Sequence, residues 1–536
     1  MKIFSSRYIK VLKLIKKLLS IIDLIKFRKE EILFSQIISN NPDIISNNYE
    51  VEYVFLDRGD NFYRRIFQML AKKLNSMGSP CYFLFKGKYP SGFQSLLYKN
   101  IQISETLIDK KRFRKLLSTS IKQLNLQEMT VDIENKQIKC NDINFYSIVI
   151  STLRSIHKTY TIDHNCNKVK SDIHSIIEYT KIIICYFNLI KKYQESKGCK
   201  IRFVGTEISY IPHSIIKVLC EEHNQNRSLE MINCAKGYNN YFGNHFRSTA
   251  LAAQNLTYKN VEVRFQPSEN EFNSFSMNCS KELKEKIYLQ EKSNIINKES
   301  KINKLDLEEI INFSPKIHRK VTYLLLPHLF YDVPINDNSA VFDGMTEWLM
   351  ETVLFFNEHP NMRLLIKPHP TESHHYGYES KKPNETVESF LSKIDLSKNI
   401  QILDGGKYSI VDLDDIFDCA LVWRSTAGIE LAILGKPAII AGPAPYKFMD
   451  LDFPSNRDEY FAKLRGQNIK QINKTISVNA ASYLYYVRNY MHYDLGDEVV
   501  KYNIGKNKIY WSRDGIDKCM NGLNQEYNRM LERFVE

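Results

Sequence analysis

The sequence predicts an α/β protein with two sheets of mainly parallel strands. Near the beginning of the chain, an apolar, β-prone run at Val51–Leu56 is followed by helical spacing at Tyr63–Asn75 and a second apolar run at Cys81–Phe85. In the second half, Leu421–Tyr446 gives the order strand, turn, helix, turn and strand. Strands that alternate with helices form parallel sheets with helical crossovers. A chain of 536 residues is long enough for two such domains.

Changes in composition indicate where the domains begin and end. The polar run Ser39–Asn48 predicts a boundary before the first sheet, and the Lys- and Glu-rich residues 280–312 predict a linker before the second. Two C-terminal helices, Ala480–His492 and Gly515–Phe534, are expected to pack back on the first domain by analogy. The predicted division is a helical lead over 1–45, a first domain over 46–280, a linker over 281–313, a second domain over 314–478 and C-terminal helices over 479–536.

Within the first domain, further strands are predicted at Lys200–Val204 and Leu229–Cys234. If the sheet is parallel, both strands end at the edge where α/β proteins bind their ligands. Helices are predicted over Asp109–Gln123 and Ser171–Tyr193, and a hairpin near Val131–Lys139.

Charge and cysteine content narrow the function classes. The formal net charge of +13 fits an acidic substrate, an anionic membrane surface or a nucleic acid. Nucleic acid is the least favoured, because the sequence has no zinc-finger spacing and no RNA-binding aromatic motif. Ten cysteines without a C-x-x-C pair indicate neither a disulfide framework nor a zinc site, which fits a reducing cytoplasm. Neither a cleavable signal peptide nor a run of about twenty apolar residues is found, so no bilayer-spanning helix is predicted.

Residues 1–38 predict a basic amphipathic helix. Its apolar positions and its lysines alternate at helical spacing; they are Ile9, Leu12, Ile15, Leu18, Leu19, Ile22 and Ile25, and Lys10, Lys13, Lys16 and Lys17. Such a helix either lies on an anionic membrane surface or packs on the protein with its lysines in water, and the sequence leaves both open. The first interpretation places the protein in the cytoplasm, at the inner face of the cytoplasmic membrane.

The most informative stretch runs from Leu364 to Tyr446. It opens with LLIKPHP, which places Lys367 and His369 at a strand end. Later, Ser425-Thr426-Ala427-Gly428 is a small-residue turn that opens a helix after a buried strand, where backbone N–H groups bind anions. Glu430 can face the same pocket, and a carboxylate there suits ribose hydroxyls. The pattern predicts a nucleotide or phosphate site; the alternative is an ordinary strand–turn–helix unit with a packed histidine.

These motifs resemble a known family. K-P-H-P followed by S-T-x-G-x-E-x-x-x-x-G-K-P-x-x-x-x-G-x-x-x-Y is similar to the bacterial capsule polysaccharide synthesis family, which includes transferases that add Kdo, an acidic eight-carbon sugar, from its CMP-activated form. The similarity extends upstream through Val321–Asn338 and Phe342–Pro360 and covers about Val321–Gly466. A histidine–proline motif with a later serine/threonine motif also occurs in bacterial sialyltransferases, which use CMP-sugars. The resemblance implies the GT-B arrangement, in which two Rossmann-like domains face a cleft, here with helical N- and C-terminal extensions.

The resemblance also implies where the donor binds. Lys367 and His369 would neutralise the donor phosphate, the helix start at Ser425–Thr426 would cradle it, and Glu430 would bind the ribose. Neither a metal nor a cofactor is then expected, because the nucleotide sugar is itself a substrate. The residues assigned to donor binding are His328, Lys367, His369, Pro370, Arg424, Ser425, Thr426, Gly428, Glu430 and Tyr446.

Candidates for the chemistry lie in the first domain, which would hold the acceptor. In the capsule family the strand that corresponds to Leu229–Cys234 is followed by an acidic pair, a glycine and an aromatic residue. Here Gly237-Tyr238 fits, but Ala235-Lys236 replaces the acids. Glu207, after the neighbouring strand, is the substitute candidate for base or nucleophile, and His369 is the second catalytic candidate. The residues assigned to the acceptor or sugar are Asp57, Lys236, Tyr238 and Asp337.

Two metal-binding patterns are not favoured. His369, His374 and His375 match no established ligand spacing. Asp412-Leu413-Asp414-Asp415 resembles the D-x-D motif of metal-dependent glycosyltransferases, but it is predicted on a short helix as surface carboxylates. The predicted activity is metal-independent transfer of a sugar, CMP-linked and Kdo- or sialic-acid-like, onto a surface polysaccharide or glycolipid. The alternatives are a CDP-glycerol glycerophosphotransferase for a wall polymer and a nucleotide- or glycan-binding protein that has lost catalysis.

Overall fold

The computed structural model describes residues 50–57, 61–85, 129–205, 211, 213–223, 228–236, 250–255, 267–297, 321–329, 341–373, 383–491, 493–496, 498–503 and 508–535. The N-terminal helix predicted over 1–38 and the helix predicted over 109–123 lie outside these ranges.

The first half of the chain supplies most of the first sheet and four helices, α1 to α4, that pack against it. Its elements are β1 (Val51–Asp57), α1 (Asn61–Ser76), β2 (Cys81–Phe85), β3 (Met129–Asp132), β4 (Gln137–Cys140), β5 (Ile143–Asn144), α2 (Tyr146–His157), α3 (Asn167–Lys197), β6 (Lys200–Gly205), α4 (His213–Glu222), β7 (Leu229–Lys236), β8 (Ala250–Asn255), α5 (Glu269–Asn278) and α6 (Lys281–Ile296).

The second half begins with the next strand. Its elements are β9 (Thr322–Leu326), α7 (Met345–Glu358), β10 (Arg363–Ile366), α8 (Pro370–Ser373), α9 (Val387–Leu391), β11 (Ile400–Ile402), β12 (Cys419–Val422), α10 (Ala427–Leu434), β13 (Ala438–Ile440), α11 (Arg457–Leu464), α12 (Lys474–Tyr490), β14 (Tyr493–Asp494), β15 (Val500–Asn503), β16 (Lys508–Trp511), α13 (Arg513–Met520) and α14 (Gln525–Val535).

The first sheet has the strand order β14-β8-β7-β6-β1-β2. Strands β2, β1, β6 and β7 run parallel, as predicted from the β-α-β pattern, and β6 lies beside β7. At the other edge, β8 pairs antiparallel with β7, and β14 pairs antiparallel with β8. Neither β8 nor β14 was predicted from the sequence. The β8 segment ALAAQN lacks the β-branched and aromatic residues that mark a strand.

The second sheet is entirely parallel among its described strands, in the order β11-β10-β9-β12-β13. Its central strands TYLLL, RLLI and CALV are buried along their whole length, which fits a sheet covered on both faces. The prediction of an α/β protein with parallel sheets is therefore confirmed, while the facing of two domains across a cleft stays a prediction.

The described part of the predicted linker is a packed helix. In α6, Ile287, Tyr288 and Ile295 lie in one apolar core with residues of α10 and α12. The helical spacing of these apolar residues is difficult to recognise in the sequence because Lys and Glu residues surround them. Helix α12, which was expected to pack back on the first domain, also lies in this second core, and the Ser477 hydroxyl donates to the Ala432 carbonyl at 2.7 Å.

The last helix does lie against the first sheet. In α14, Tyr527, Met530 and Phe534 are fully buried in the same core as Tyr53 and Phe55 of β1. The Tyr53 hydroxyl and the Arg202 guanidinium both donate to the Phe534 carbonyl. The final turn of the chain is therefore fixed to two central strands of the first sheet.

Among the described residues, α3 is the helix that is long and apolar enough in composition to cross a membrane. Its apolar residues, among them Ile173, Ile177 and Phe187, are buried in a core with β6 and α4. This packing accounts for the apolar content of α3.

Candidate functional site

The candidate site lies at the carboxyl edge of the second sheet, where three parallel strands end. Leu326 of β9 pairs with Val422 of β12, and Leu325 pairs with Ile366 of β10. The residues that follow these strands are therefore brought to one edge. They include His328 after β9, Lys367 and His369 after β10, and Arg424, Ser425 and Thr426 after β12.

Lys367 is buried directly behind this edge. Its backbone N–H donates to the Leu325 carbonyl at 2.9 Å, and its ammonium donates to the Gly405 carbonyl at 3.1 Å. Burial lowers the pKa of Lys367 to about 8, although Asp404 and Asp412 act in the opposite direction. Lys367 therefore loses its proton at a lower pH than an exposed lysine does.

His369 is partly exposed, and its ring centroid lies 6.2 Å from that of His328. Burial, followed by repulsion from His328 and Lys367, lowers the pKa of His369 to about 3. The imidazole is therefore neutral at physiological pH when no anion is bound. Electrostatic neutralisation of a phosphate by His369 requires that it gain a proton when the anion arrives.

His328 is oriented by its own loop. Its Nδ1 lies 3.0 Å from the Leu329 carbonyl oxygen, so Nδ1 carries the hydrogen in this contact, and its backbone N–H lies 3.2 Å from the Met345 sulfur. The ring is thereby held opposite His369.

A glycine missed by the sequence analysis packs on the histidine–proline motif. A Cβ on Gly405 would lie 2.1 Å from the Pro368 carbonyl oxygen and 3.1 Å from that of His369. Only a residue without a side chain fits there unless the motif backbone moves. The signal available in the sequence was the Gly405-Gly406 pair just after β11.

The turn that opens α10 rests on Tyr446. Thr426 is the exposed N-cap residue and makes no side-chain hydrogen bond to the first turn, while Ser425 is partly exposed. The Tyr446 hydroxyl donates to the Ser425 carbonyl, and a Cβ on Gly428 would lie 2.3 Å from that hydroxyl. Tyr446 is only 1% exposed, so it supports the turn from the protein interior.

Arg424 and Glu430 are buried near this turn, each 6% exposed. Burial is the main cause of the raised pKa of Tyr446; Glu430 acts in the same direction and Arg424 opposes it. The ribose contact predicted for Glu430 remains a prediction.

The candidates in the first half are described only in part. Asp57 is the last residue of β1 and Lys236 the last of β7, so both occupy the carboxyl edge of the parallel first sheet. Glu207 and Tyr238 lie outside the described residues, as does Asp337 of the second half.

The acidic residues of the D-x-D-like segment have structural contacts. Residues 410–416 form turns, not the short helix predicted for them. Asp412 accepts from the backbone and the hydroxyl of Ser409 at 2.7 and 2.6 Å, and Asp414 lies 3.4 Å from Lys436. Within the described ranges, no group of three His, Cys, Asp or Glu residues could hold a metal ion, while His374 and His375 lie outside them.

Glu372, in the helical turn after His369, was also missed. Its backbone N–H donates to the His369 carbonyl at 2.9 Å. Its two carboxylate oxygens accept from the Tyr160 hydroxyl at 2.7 Å and from the Val387 N–H at 2.8 Å. No sequence signal linked Tyr160, which belongs to the first half, with this motif.

The chain was also compared with known proteins. No protein-family model matches it, and no curated protein matches it. Two similar solved structures are Thermosulfurimonas dismutans KpsC described as a beta Kdo 2,7 transferase (TM-score 0.29, 17% identity, 62% of this chain and 88% of that chain) and as a beta Kdo 2,4 transferase (TM-score 0.34, 15% identity, 60% and 88%). Both structures are described as Kdo transferases, at identities and TM-scores that assign no activity to this chain.

Proposed function

We propose that the carboxyl edge of the second sheet binds the nucleotide phosphate of an activated sugar and that the protein is a glycosyltransferase. The observation that carries the proposal is the convergence of Lys367, His369 and His328 beside the N-terminus of α10. Two imidazoles, a buried ammonium and the positive end of a helix suit an anion better than any other ligand. The motif resemblance favours a CMP-linked acidic sugar as the donor.

In the proposed reaction the bond between the anomeric carbon and the phosphate oxygen breaks. The acceptor hydroxyl oxygen forms the new bond to that carbon, and its proton passes to a carboxylate of the first half, for which Glu207 is the candidate. Negative charge grows on the departing phosphate. The Lys367 ammonium, His369 once it has gained a proton, and the start of α10 stabilise that charge more in the transition state than in the bound substrate.

Nucleotide binding tests the proposal. CMP is expected to raise the unfolding temperature more than AMP, UDP or CDP-glycerol, because ligands stabilise the state that binds them. Ser425→Ala with Thr426→Ala should weaken CMP binding more than either change alone. Ser392→Ala, at the exposed serine that directly follows α9, is the matched control and should leave CMP binding unchanged.

Other outcomes distinguish the alternatives. A larger shift with CDP-glycerol would favour a glycerophosphotransferase, and no shift with any nucleotide would favour a protein without this activity. Transfer that EDTA abolishes and Mg²⁺ restores would contradict the metal-independent mechanism.

We also propose that residues 1–38 bring the protein to an anionic membrane, where a polysaccharide or glycolipid acceptor is assembled. Each lysine near such a surface contributes about 1 kcal/mol, and the attraction decreases with salt. Deletion of residues 1–38 should release the protein from anionic vesicles and leave CMP binding unchanged. An insoluble or unfolded truncation would show instead that the helix packs on the protein.

A further inference from the structure

A loop of the first half docks on the segment that follows the histidine–proline motif. This loop, residues 157–161, begins at the last residue of α2 and leads toward α3. Tyr160 at its centre is fully buried in the core that α7 and α9 form against the second sheet, and its ring lies 5.2 Å from that of Phe390 in α9. The 157–161 loop therefore belongs to the packing of the second half, although the flanking helices α2 and α3 pack in the first.

The outer side of this contact is polar. The Glu385 carboxylate accepts from the Thr159 hydroxyl and from the Thr161 N–H, both at 2.8 Å, and from Lys393 at 2.9 Å. The backbone N–H groups of Asn384 and Glu385 donate to the Lys158 carbonyl at 2.9 and 3.3 Å. These bonds fix the 157–161 loop without touching the motif.

The inner side reaches the motif through Glu372. The Glu372 carboxylate is 7% exposed, and each oxygen holds one donor, the Tyr160 hydroxyl or the Val387 N–H. The same residue closes the turn that begins at the His369 carbonyl. A change in the position of Glu372 must therefore move the turn that carries His369.

We propose that Glu372 is a positioning residue that, through Tyr160, makes the placement of His369 depend on the 157–161 loop of the first half. The inference rests on the proposed function for its consequence, donor binding, but not for the contact itself. Burial raises the pKa of Glu372 to about 7 against the two hydrogen bonds, which fits a carboxyl group kept for its two acceptors and not for its charge.

The test compares substitutions on the two sides of the contact, with CMP as the probe. Glu372→Ala should weaken CMP binding by about tenfold, because it removes the acceptor for two buried donors. Glu372→Gln should stay within about threefold, since its amide can accept from the Val387 N–H and donate to the Tyr160 oxygen. The loss of CMP affinity in Tyr160→Phe should lie between the losses in Glu372→Ala and Glu372→Gln. Glu385→Ala, on the outer side, loosens the loop but leaves the bond between Tyr160 and Glu372, so it should weaken CMP binding less than Tyr160→Phe does. Glu388→Ala, at an exposed residue of α9, is the control and should leave CMP binding unchanged.

A second readout separates positioning from general destabilisation. The protein is labelled with ¹³C at histidine Cε1, and the His369 resonance is assigned from its loss in His369→Asn. Glu372→Ala should raise the pKa of His369 toward its usual range as the pocket loosens, whereas Glu372→Gln and the control Glu388→Ala should leave it depressed.

The inference is wrong if Tyr160→Phe and Glu372→Ala change neither CMP affinity nor the pKa of His369. If Glu372→Ala fails to fold, Tyr160→Phe decides the question by the same two measurements. If the unaltered protein does not bind CMP but the pKa of His369 still responds to Glu372→Ala, the proposed function fails and the positioning role stands.

Discussion

At the scale of single residues, the basic groups of the candidate site hold their protons less tightly than exposed groups do. Burial lowers the pKa of both Lys367 and His369, and repulsion from His328 and Lys367 adds to the effect at His369. A bound phosphate reverses the balance, since a nearby negative charge favours the protonated forms. Donor binding should therefore be coupled to proton uptake.

Calorimetric titration of CMP in buffers of different ionisation enthalpy measures this uptake. At pH 8, Lys367 with a pKa of about 8 is about half charged before binding and fully charged after it, so roughly half a proton is expected. At pH 6, Lys367 is charged in both states and the uptake comes from the imidazoles. Lys367→Met should abolish the uptake at pH 8, and His369→Asn should reduce the uptake at pH 6.

Binding without proton exchange at either pH would contradict the assignment of these residues to the phosphate. His359 provides the control substitution, because its Nδ1 contacts the Phe355 carbonyl at 2.7 Å at the far end of α7. His359→Asn should leave the proton uptake unchanged.

The sequence pattern singles out the residues of the candidate site, but it does not predict their charge states. Lys367 and His369 follow an apolar run that stops at a proline, which marks a strand end. The neutrality of His369 depends on His328, which arrives from a different strand, and on burial by segments distant in the sequence. Spacing along one strand carries no information about either.

At the scale of elements, two glycines let neighbouring segments approach the site closely. Gly405 lies on the backbone of the histidine–proline motif, and Gly428 lies against the Tyr446 hydroxyl at the start of α10. The motif pattern contained both Gly428 and Tyr446 but not their contact, because nothing in the intervening sequence indicates how the chain returns after β13.

The contact between Gly428 and Tyr446 can be tested by second-site rescue. Gly428→Ala should destabilise the protein by about 1–3 kcal/mol, since the new methyl group overlaps the Tyr446 hydroxyl. Adding Tyr446→Phe removes that oxygen and leaves the ring carbon at 3.1 Å as the nearest atom, so part of the loss should be recovered. The free energies of unfolding of the two single variants and the double variant measure the coupling. Strictly additive losses would show that the turn adjusts in another way.

Elements with strong apolar runs were predicted well, and those defined by long-range partners were not. Strands β2 and β13 begin and end where the sequence places them. Helix α6 was taken for a linker because charged residues interrupt the apolar positions that pack on α12. The two-residue strand β14 exists only because β8 lies beside it.

At the scale of the whole molecule, the first core depends on the last helix. Phe534 is fully buried beside Tyr53, and its carbonyl accepts from Tyr53 and Arg202. Phe534→Ala should therefore destabilise the first core by about 3–5 kcal/mol. Leu523→Ala, at a position that is 72% exposed, is the control and should change stability little.

Circular dichroism and tryptophan fluorescence together can show which half of the chain loses stability in Phe534→Ala. In a Trp511→Phe background the two remaining tryptophans, Trp348 and Trp423, both lie in the second half. Denaturant unfolding of Phe534→Ala should then show an early transition by circular dichroism that precedes the change in tryptophan fluorescence. Coincident transitions with an unchanged midpoint would show that the last helix contributes little.

The return of the chain to its first sheet has a consequence for synthesis on the ribosome. The five strands of the second sheet lie between Thr322 and Ile440, so this sheet can close while α14 is still untranslated. Strand β1 emerges far earlier, yet the residues that cover Tyr53 and bind Arg202 are translated after the whole second sheet. The core around β1 therefore cannot close until the second sheet has been made, and until then its apolar surface is available to chaperones and proteases.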